Sequence, residues 1–217
     1  MMILQKDEKK NGAEESSAKE KCGVISGATC GGPSKSNPKK LTVQEMTTMA
    51  LLAALLCVSS YISIRLPIST VPITAQTLVV NMIALLLLPK KAGFTVLIWI
   101  LLGAVGLPVF SNGTGGFGIL AGATGGYIFG YLAAAILISL IRGRKNKWIR
   151  NLIAVLIGIP VIYAVGLPWM KAVTGITWQA ALVSGMVIFL PGDIVKCVLA
   201  LLLCKPLWPV VNAARED

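Results

Sequence analysis

Met186-Val187-Ile188-Phe189-Leu190-Pro191-Gly192-Asp193-Ile194-Val195-Lys196-Cys197-Val198-Leu199-Ala200-Leu201-Leu202-Leu203-Cys204 decides how this chain reads. Only Asp193 and Lys196 carry charge in it. A run this long and this apolar is a membrane span, which needs about 20 such residues. A charged side chain near a bilayer centre costs about 2.5–3.5 kcal/mol on insertion scales, so it has a partner or a task. Three residues apart on a helix, Asp193 and Lys196 share a face. Asp accepts hydrogen bonds and Lys donates them, so the two together can grip a polar ligand that offers both. The plainer alternative is an internal ion pair that only steadies the fold.

Working outward, the whole chain has the same character. Of its 217 residues 55% are hydrophobic and 13% charged, and mean hydropathy is +0.78. A soluble domain carries about 25% charged residues. From Leu41 to Cys204 the only acids are Glu45 and Asp193. The net charge of +11 does not imply nucleic acid, because no basic face with interleaved aromatics lies outside the spans. The basic residues read instead as topology signals. Residues 1–40 hold eight of the 20 Lys and Arg and five of the nine Asp and Glu. They read as a disordered tail. The early lysines lead into no apolar run, so no signal peptide is expected there.

Six crossings are expected: about Val43–Ile64, Val71–Leu88, Ala92–Leu107, Ile119–Ile141, Ile149–Leu167 and a region from Trp178 to Leu207. Lys91 can extend the short third span by snorkelling. The last region is too long for one straight crossing. Pro191-Gly192 divides it into a short helix over Trp178–Phe189 and a main helix starting at Pro191, a residue type favoured in a first turn. The expected architecture is an all-α integral membrane protein of six transmembrane helices, with a short outer-half helix before the last. Residues 41–210 form its membrane domain. Lys90, Lys91, Arg142, Arg144, Lys145, Lys147, Arg150, Lys205 and Arg215 fall on one side, and only Arg65 and Lys171 on the other. That asymmetry predicts cytoplasmic termini. Asp193 and Lys196 then lie in the outer half of the membrane.

A second informative stretch is Phe110-Ser111-Asn112-Gly113-Thr114-Gly115-Gly116-Phe117-Gly118, followed by Gly122-Ala123-Thr124-Gly125-Gly126-Tyr127. Gly113, Gly115 and Gly118 match a dinucleotide fingerprint in spacing. No βαβ context surrounds them, and no acid follows about 20 residues on. Irregular backbone at membrane depth is tolerated where it is buried or lines a cavity. Gly122, Gly126 and Gly130, spaced by four, read as helix packing. Thr124 and Tyr127 are candidate site residues, and Asn112 is another. A third cluster, Thr70-Val71-Pro72-Ile73-Thr74-Ala75-Gln76-Thr77, opens the second span with Thr70 as a candidate N-cap. Gln76 is a site candidate, with interhelical hydrogen bonding the alternative for it and for Asn81.

The chain has no histidine. Its five cysteines form no zinc pattern, and their odd number argues against a disulfide framework. No metal and no cofactor is expected. With one deep acid, an intramembrane enzyme would lack both an aspartyl pair and a His-based dyad.

Val71-Pro72-Ile73-Thr74-Ala75-Gln76-Thr77, Gly106-Leu107-Pro108-Val109-Phe110, Thr124-Gly125-Gly126-Tyr127 and Leu190-Pro191-Gly192-Asp193-x-x-Lys196, in that order, resemble the BioY family. Its members are biotin-specific substrate-capture (S) components of energy-coupling factor (ECF) transporters. The resemblance covers about Lys40 to Leu207. It implies six helices, a biotin pocket near the outer face, and association with a transmembrane coupling subunit and a pair of ABC-type ATPases. It also implies that the small-residue face of the first helix, Ala50 and Ala54 here, docks on the coupling subunit. The long N-terminal region departs from the family.

Biotin has a ureido ring with N–H donors and a carbonyl acceptor, an apolar sulfur ring and a carboxylate. Asp193 can accept a ureido N–H. Lys196 can donate to the ureido oxygen or pair with the carboxylate. Tyr127, Phe110 and Phe117 can cover the apolar body. The expected function is capture of biotin outside for uptake driven by separate ATPase subunits. The alternatives are a lone facilitator, an S component for another vitamin, and a structural membrane subunit in which the Asp193–Lys196 pair is only a staple.

Overall fold

The computed structural model describes residues 43–64, 72–142 and 148–216. These belong to one compact unit, Leu41–Asp217. The expected tail, Thr70 with its capping role, and the basic residues Arg65, Arg144, Lys145 and Lys147 lie outside the described residues.

Among the described residues, eight α-helices follow one another: α1 (Val43–Ser59), α2 (Gln76–Leu86), α3 (Pro89–Ala104), α4 (Phe117–Ala121), α5 (Gly125–Arg142), α6 (Trp148–Thr174), α7 (Trp178–Leu182) and α8 (Leu190–Glu216). Helix α5, helix α6 and the run Trp178–Pro209 are long and apolar enough to cross a membrane, and α1 and α2 are shorter apolar helices. The chain is a multi-pass, all-α membrane protein. Strands β1 (Ser63–Ile64) and β2 (Ile73–Thr74) form one small antiparallel ladder, with Ser63 opposite Thr74.

Burial shows which helix is central. Ten of the eleven residues of α2 are buried. A helix apolar and buried all round sits inside a bundle. On α8, by contrast, Asp193, Cys197, Ala200, Leu201 and Cys204 face inward, while Ile194, Val195, Val198, Leu199, Leu202 and Leu203 are exposed. Both faces of α8 are apolar, as expected where the outer face meets lipid rather than water.

Several boundaries differ from the sequence reading. Helix α1 stops at Ser59 rather than Ile64. There the Ser59 and Ser60 hydroxyls bond back to the carbonyls of Leu56 and Cys57, which competes with continuing the helix. Residues 63–64 and 73–74 are extended, and the second helix begins at Gln76. Helix α3 begins earlier than expected, with Pro89 in its first turn. The Lys91 ammonium is ion-paired with Glu45 of α1. Helix α6 continues past Leu167 to Thr174 with Pro160 and Pro168 inside it. Before α8, a π-helical turn (Val183–Val187) follows α7, so the expected short helix is split.

The fourth region is broken at Gly122-Ala123-Thr124. A Cβ on Gly125 would lie 1.7 Å from the carbonyl oxygen of Leu120, so the start of α5 is pressed onto the end of α4. Farther along α5, a Cβ on Gly126 would lie 2.3 Å from Trp169 Cβ, and one on Gly130 would lie 2.9 Å from the Ile162 carbonyl oxygen. These two glycines let α5 and α6 approach closely, in the manner of small-residue membrane interfaces.

Candidate functional site

The beginnings of α2, α5 and α8 meet the middle of α6 at one cleft. It is lined by Pro72, Thr74, Thr77, Tyr127, Tyr131, Ile162, Tyr163, Gly185, Phe189, Asp193 and Lys196. It spans about 330 Å³ counting its open mouth. Among these residues Asp193 is the single acid and Lys196 the single base.

Asp193 lies in the first turn of α8 and is 8% exposed. Lys196 Nζ donates to its Oδ1 at 3.1 Å, and Thr77 Oγ1 to the same oxygen at 3.4 Å. Tyr163 Oη donates to Oδ2 at 2.5 Å. Placing a carboxylate near a helix N-terminus also sets it at the positive end of the helix dipole. One turn below, Asn81 Nδ2 reaches Cys197 Sγ at 3.6 Å, so α2 and α8 are tied by polar contacts at two levels.

Three tyrosines supply flat walls. Tyr127 and Tyr131 are one turn apart on α5 and so share a face. The Tyr127 and Tyr163 rings meet edge to face, with centroids 6.2 Å apart. Tyr127 Oη donates to the carbonyl of Gly185 in the π-helical turn at 3.0 Å, which fixes its ring across the cleft. The result is one carboxylate and one ammonium set among aromatic and aliphatic walls. That combination fits a compact ligand with adjacent N–H and C=O groups on an apolar frame.

Asp193, Lys196 and Tyr127 come together here. Five other residues named from sequence stand outside the cleft wall. Gln76 is buried, with its Nε2 3.4 Å from the Val109 carbonyl and its Oε1 accepting from Ser111 Oγ at 3.1 Å. Phe110 is 1% exposed and packs edge to face on Trp99 at 5.2 Å. Asn112 has a left-handed backbone (φ 62°) and accepts a hydrogen bond from Ser63 Oγ at 2.8 Å. Thr124 offers its carbonyl to the amides of Tyr127 and Ile128. Phe117 is 73% exposed. Four of the five hold the glycine-rich connection and the start of α5 in place: Gln76 and Phe110 fasten that connection to α2 and α3, Asn112 ties it to β1, and Thr124 anchors the first turn of α5.

Sequence reasoning missed Tyr163, Tyr131, Thr77 and Phe189. A signal existed for the first. A buried Asp needs donors, and Tyr163 is the one phenol inside the fifth apolar run. Tyr131 was readable from its spacing of four from Tyr127.

Ala50 and Ala54 are exposed on α1 and are not among the residues lining the cleft. They line an almost wholly apolar groove of about 1270 Å³ with Met46, Ala53, Phe94, Ile98 and Leu102.

The model of the BioY family matches residues 34–213. Biotin transporter BioY2 of Lactococcus lactis is 37% identical over 155 residues, covering 71% of this chain and 84% of its own length. Biotin transporter BioY of Thermotoga maritima is 35% identical over 161 residues, covering 74% and 94%. A crystal structure of the S component for biotin from an ECF-type ABC transporter superposes with a TM-score of 0.68. The two are 27% identical, over 79% of this chain and 90% of that one. A match over most of the chain, relatives above 30% identity and a shared helical architecture converge: this chain belongs to the BioY family.

Proposed function

We infer that this protein is the biotin-capturing S component of an ECF-type vitamin transporter. It binds biotin on the outer side of the cell membrane, and separate subunits drive uptake with ATP. The observation that carries the reading is the Asp193–Lys196 pair, 3.1 Å apart, beneath three tyrosines in a cleft of a BioY-family chain. Asp193 accepts a ureido N–H, and Lys196 donates to the ureido oxygen or the carboxylate of biotin. Tyr127, Tyr131, Tyr163 and Phe189 cover the apolar rings. Gln76, Phe110, Asn112, Thr124 and Phe117 contribute through the connection above the cleft.

The protein is not an enzyme. Its partners are a transmembrane coupling subunit, which docks on Ala50 and Ala54, and ABC-type ATPases. Helices α1, α2 and α3 complete six crossings with α5, α6 and α8, and both termini are cytoplasmic. What supports this orientation is the gathering of Lys90, Lys91, Arg142, Arg150 and Lys205 at one end of the bundle.

Calorimetry with biotin on the purified chain tests the reading. Saturable binding of one biotin per chain is expected, and absence of heat with correctly folded protein overturns it. Uptake assays with and without the ATPase subunits then separate the S component from a lone facilitator, which would transport without them.

A further inference from the structure

The bundle holds another cavity, largely apolar with one basic side chain, at the end opposite the cleft. It spans about 560 Å³ counting its open mouth and is lined by Leu85, Trp148, Asn151, Leu201, Cys204, Lys205 and Trp208. Lys205 lies twelve residues beyond Asp193 on α8, about 18 Å along the helix axis. The two sites therefore share no lining residue.

The lining is basic on one side and apolar on the other. Among the described residues that line it none is an acid, and Lys205 supplies its formal charge. Behind the Trp208 wall stands the guanidinium of Arg142, with Cζ 4.4 Å from the ring centroid and the residue fully buried. Asn151 adds an amide. Leu85 and Leu201 form the apolar wall. Trp148 and Trp208 are of the type that settles at the headgroup level of a bilayer. On the same two helices, α6 and α8, Ile149, Ile153, Leu202 and Leu207 are exposed and apolar. A free polar anion would use the ammonium and leave these apolar surfaces idle. An anion on an apolar stem uses both.

The geometry points to a binding site for a phosphate-bearing anion, of the kind an anionic phospholipid headgroup presents, between the ends of α2, α6 and α8. The phosphate sits against Lys205. The glycerol and acyl chains run out over Trp148 and the exposed leucines. Basic pockets between transmembrane helices take anionic headgroups on these terms.

The test uses the full chain in neutral detergent. It is titrated with phosphatidylglycerol, with phosphatidylcholine of the same acyl chains, and with inorganic phosphate, and melting temperature is read. A ligand that binds only the folded state raises it saturably. Phosphatidylglycerol is expected to do so and phosphatidylcholine not. Lys205→Gln, on an exposed helical position, should shift the midpoint to about fivefold higher lipid, and Lys205→Arg should keep it. The same saturable, Lys205-dependent rise with inorganic phosphate alone would identify free phosphate as the source. Equal effects of the two lipids, or a midpoint unmoved by Lys205→Gln, would overturn the site. Biotin does not enter the readout, so failure here leaves the biotin reading untouched.

Discussion

Tyr163 of α6 and Asp193 of α8 share a 2.5 Å hydrogen bond, made to the carboxylate oxygen that Lys196 does not touch. Thr77 of α2 approaches the other oxygen at 3.4 Å. The carboxylate is therefore held from three helices at once. An ionised carboxylate offers about four acceptor directions, and three are used by the protein. One remains for a ligand N–H. Asp193 is thus both oriented and left with capacity, which a purely internal staple does not require.

Tyr163→Phe tests the orientation. It keeps the ring that packs on Tyr127 and removes the donor to Asp193. A hydrogen bond to a charged group contributes about 1.5–3 kcal/mol. Biotin affinity should weaken by about tenfold or more in calorimetry, with the aromatic wall and the fold intact. A large fall in melting temperature at unchanged affinity would mean that the bond serves stability alone.

Gly130 tests the packing that brings α6 to the cleft. Its added Cβ would stand 2.9 Å from a backbone oxygen, which cannot rotate away. Gly130→Ala should cost about 1–3 kcal/mol as overpacking, seen as a lower melting temperature. Because Ile162, which lies at this contact, lines the cleft next to Tyr163 in sequence, biotin affinity should fall too. A neutral outcome in both measurements would show that the helices separate freely here.

How far the sequence carries the structure depends on the kind of signal. The long apolar runs of α5, α6 and α8 announce themselves because lipid demands uninterrupted apolar length. The break before α8 was readable from Pro191-Gly192, since proline ends hydrogen bonding in the preceding turn. Helix ends set by hydroxyls were not. Ser59 and Ser60 end α1 through local back-bonds that compete only weakly with helix, so composition carried the expected span on to Ile64. In the site, Asp193 and Lys196 stood out because charge is costly in an apolar run. Tyr163 and Thr77 did not, because a tyrosine or threonine in a span is cheap, and only the fold shows which of them meets Asp193. Phe110 and Asn112 in the glycine-rich stretch and Gln76 at the start of α2 carry chemistry suited to a ligand, and only the fold shows that they also meet Trp99, Ser63 and Val109.

The exposed groove on α1 yields a prediction about uptake. Ala50 and Ala54 line it and are not part of the cleft wall. Ala50→Trp or Ala54→Trp fills the groove and should block a coupling helix. ATP-driven uptake should be abolished while biotin binding to the purified chain stays within about twofold of wild type, a difference well under 1.4 kcal/mol. Loss of binding as well would place this face in the internal packing and remove the docking role.

Orientation can be read by cysteine labelling from each side of intact cells, in a chain freed of its native cysteines. Gly115 is unsuitable as the outer reporter, because a Cβ there would lie 2.2 Å from the Leu107 carbonyl oxygen. Phe117, 73% exposed, serves instead. Phe117→Cys should react with an impermeant reagent from outside, and Lys145→Cys only after permeabilisation. The reverse pattern would invert the protein and put the cleft on the inner side.

The decisive prediction concerns the pair. Removing either member leaves a ligand group and a protein charge without a partner, at about 1.5–3 kcal/mol for a lost charge-assisted bond. Asp193→Asn keeps the shape but turns one acceptor oxygen into a donor. Lys196→Met keeps much of the stem and loses the ammonium. Each single change should weaken biotin binding by roughly ten- to hundredfold. Stability behaves differently. Breaking an ion pair by removing one partner leaves a buried charge uncompensated, whereas removing both can be nearly neutral. The double variant should therefore recover much of the melting temperature lost by the singles. Its biotin affinity should not recover, because both ligand contacts are gone. Calorimetry and thermal melts on the two singles and the double separate the effects. Near-wild-type affinity in the double variant would make the pair a staple, and the binding role would pass to the tyrosine walls alone.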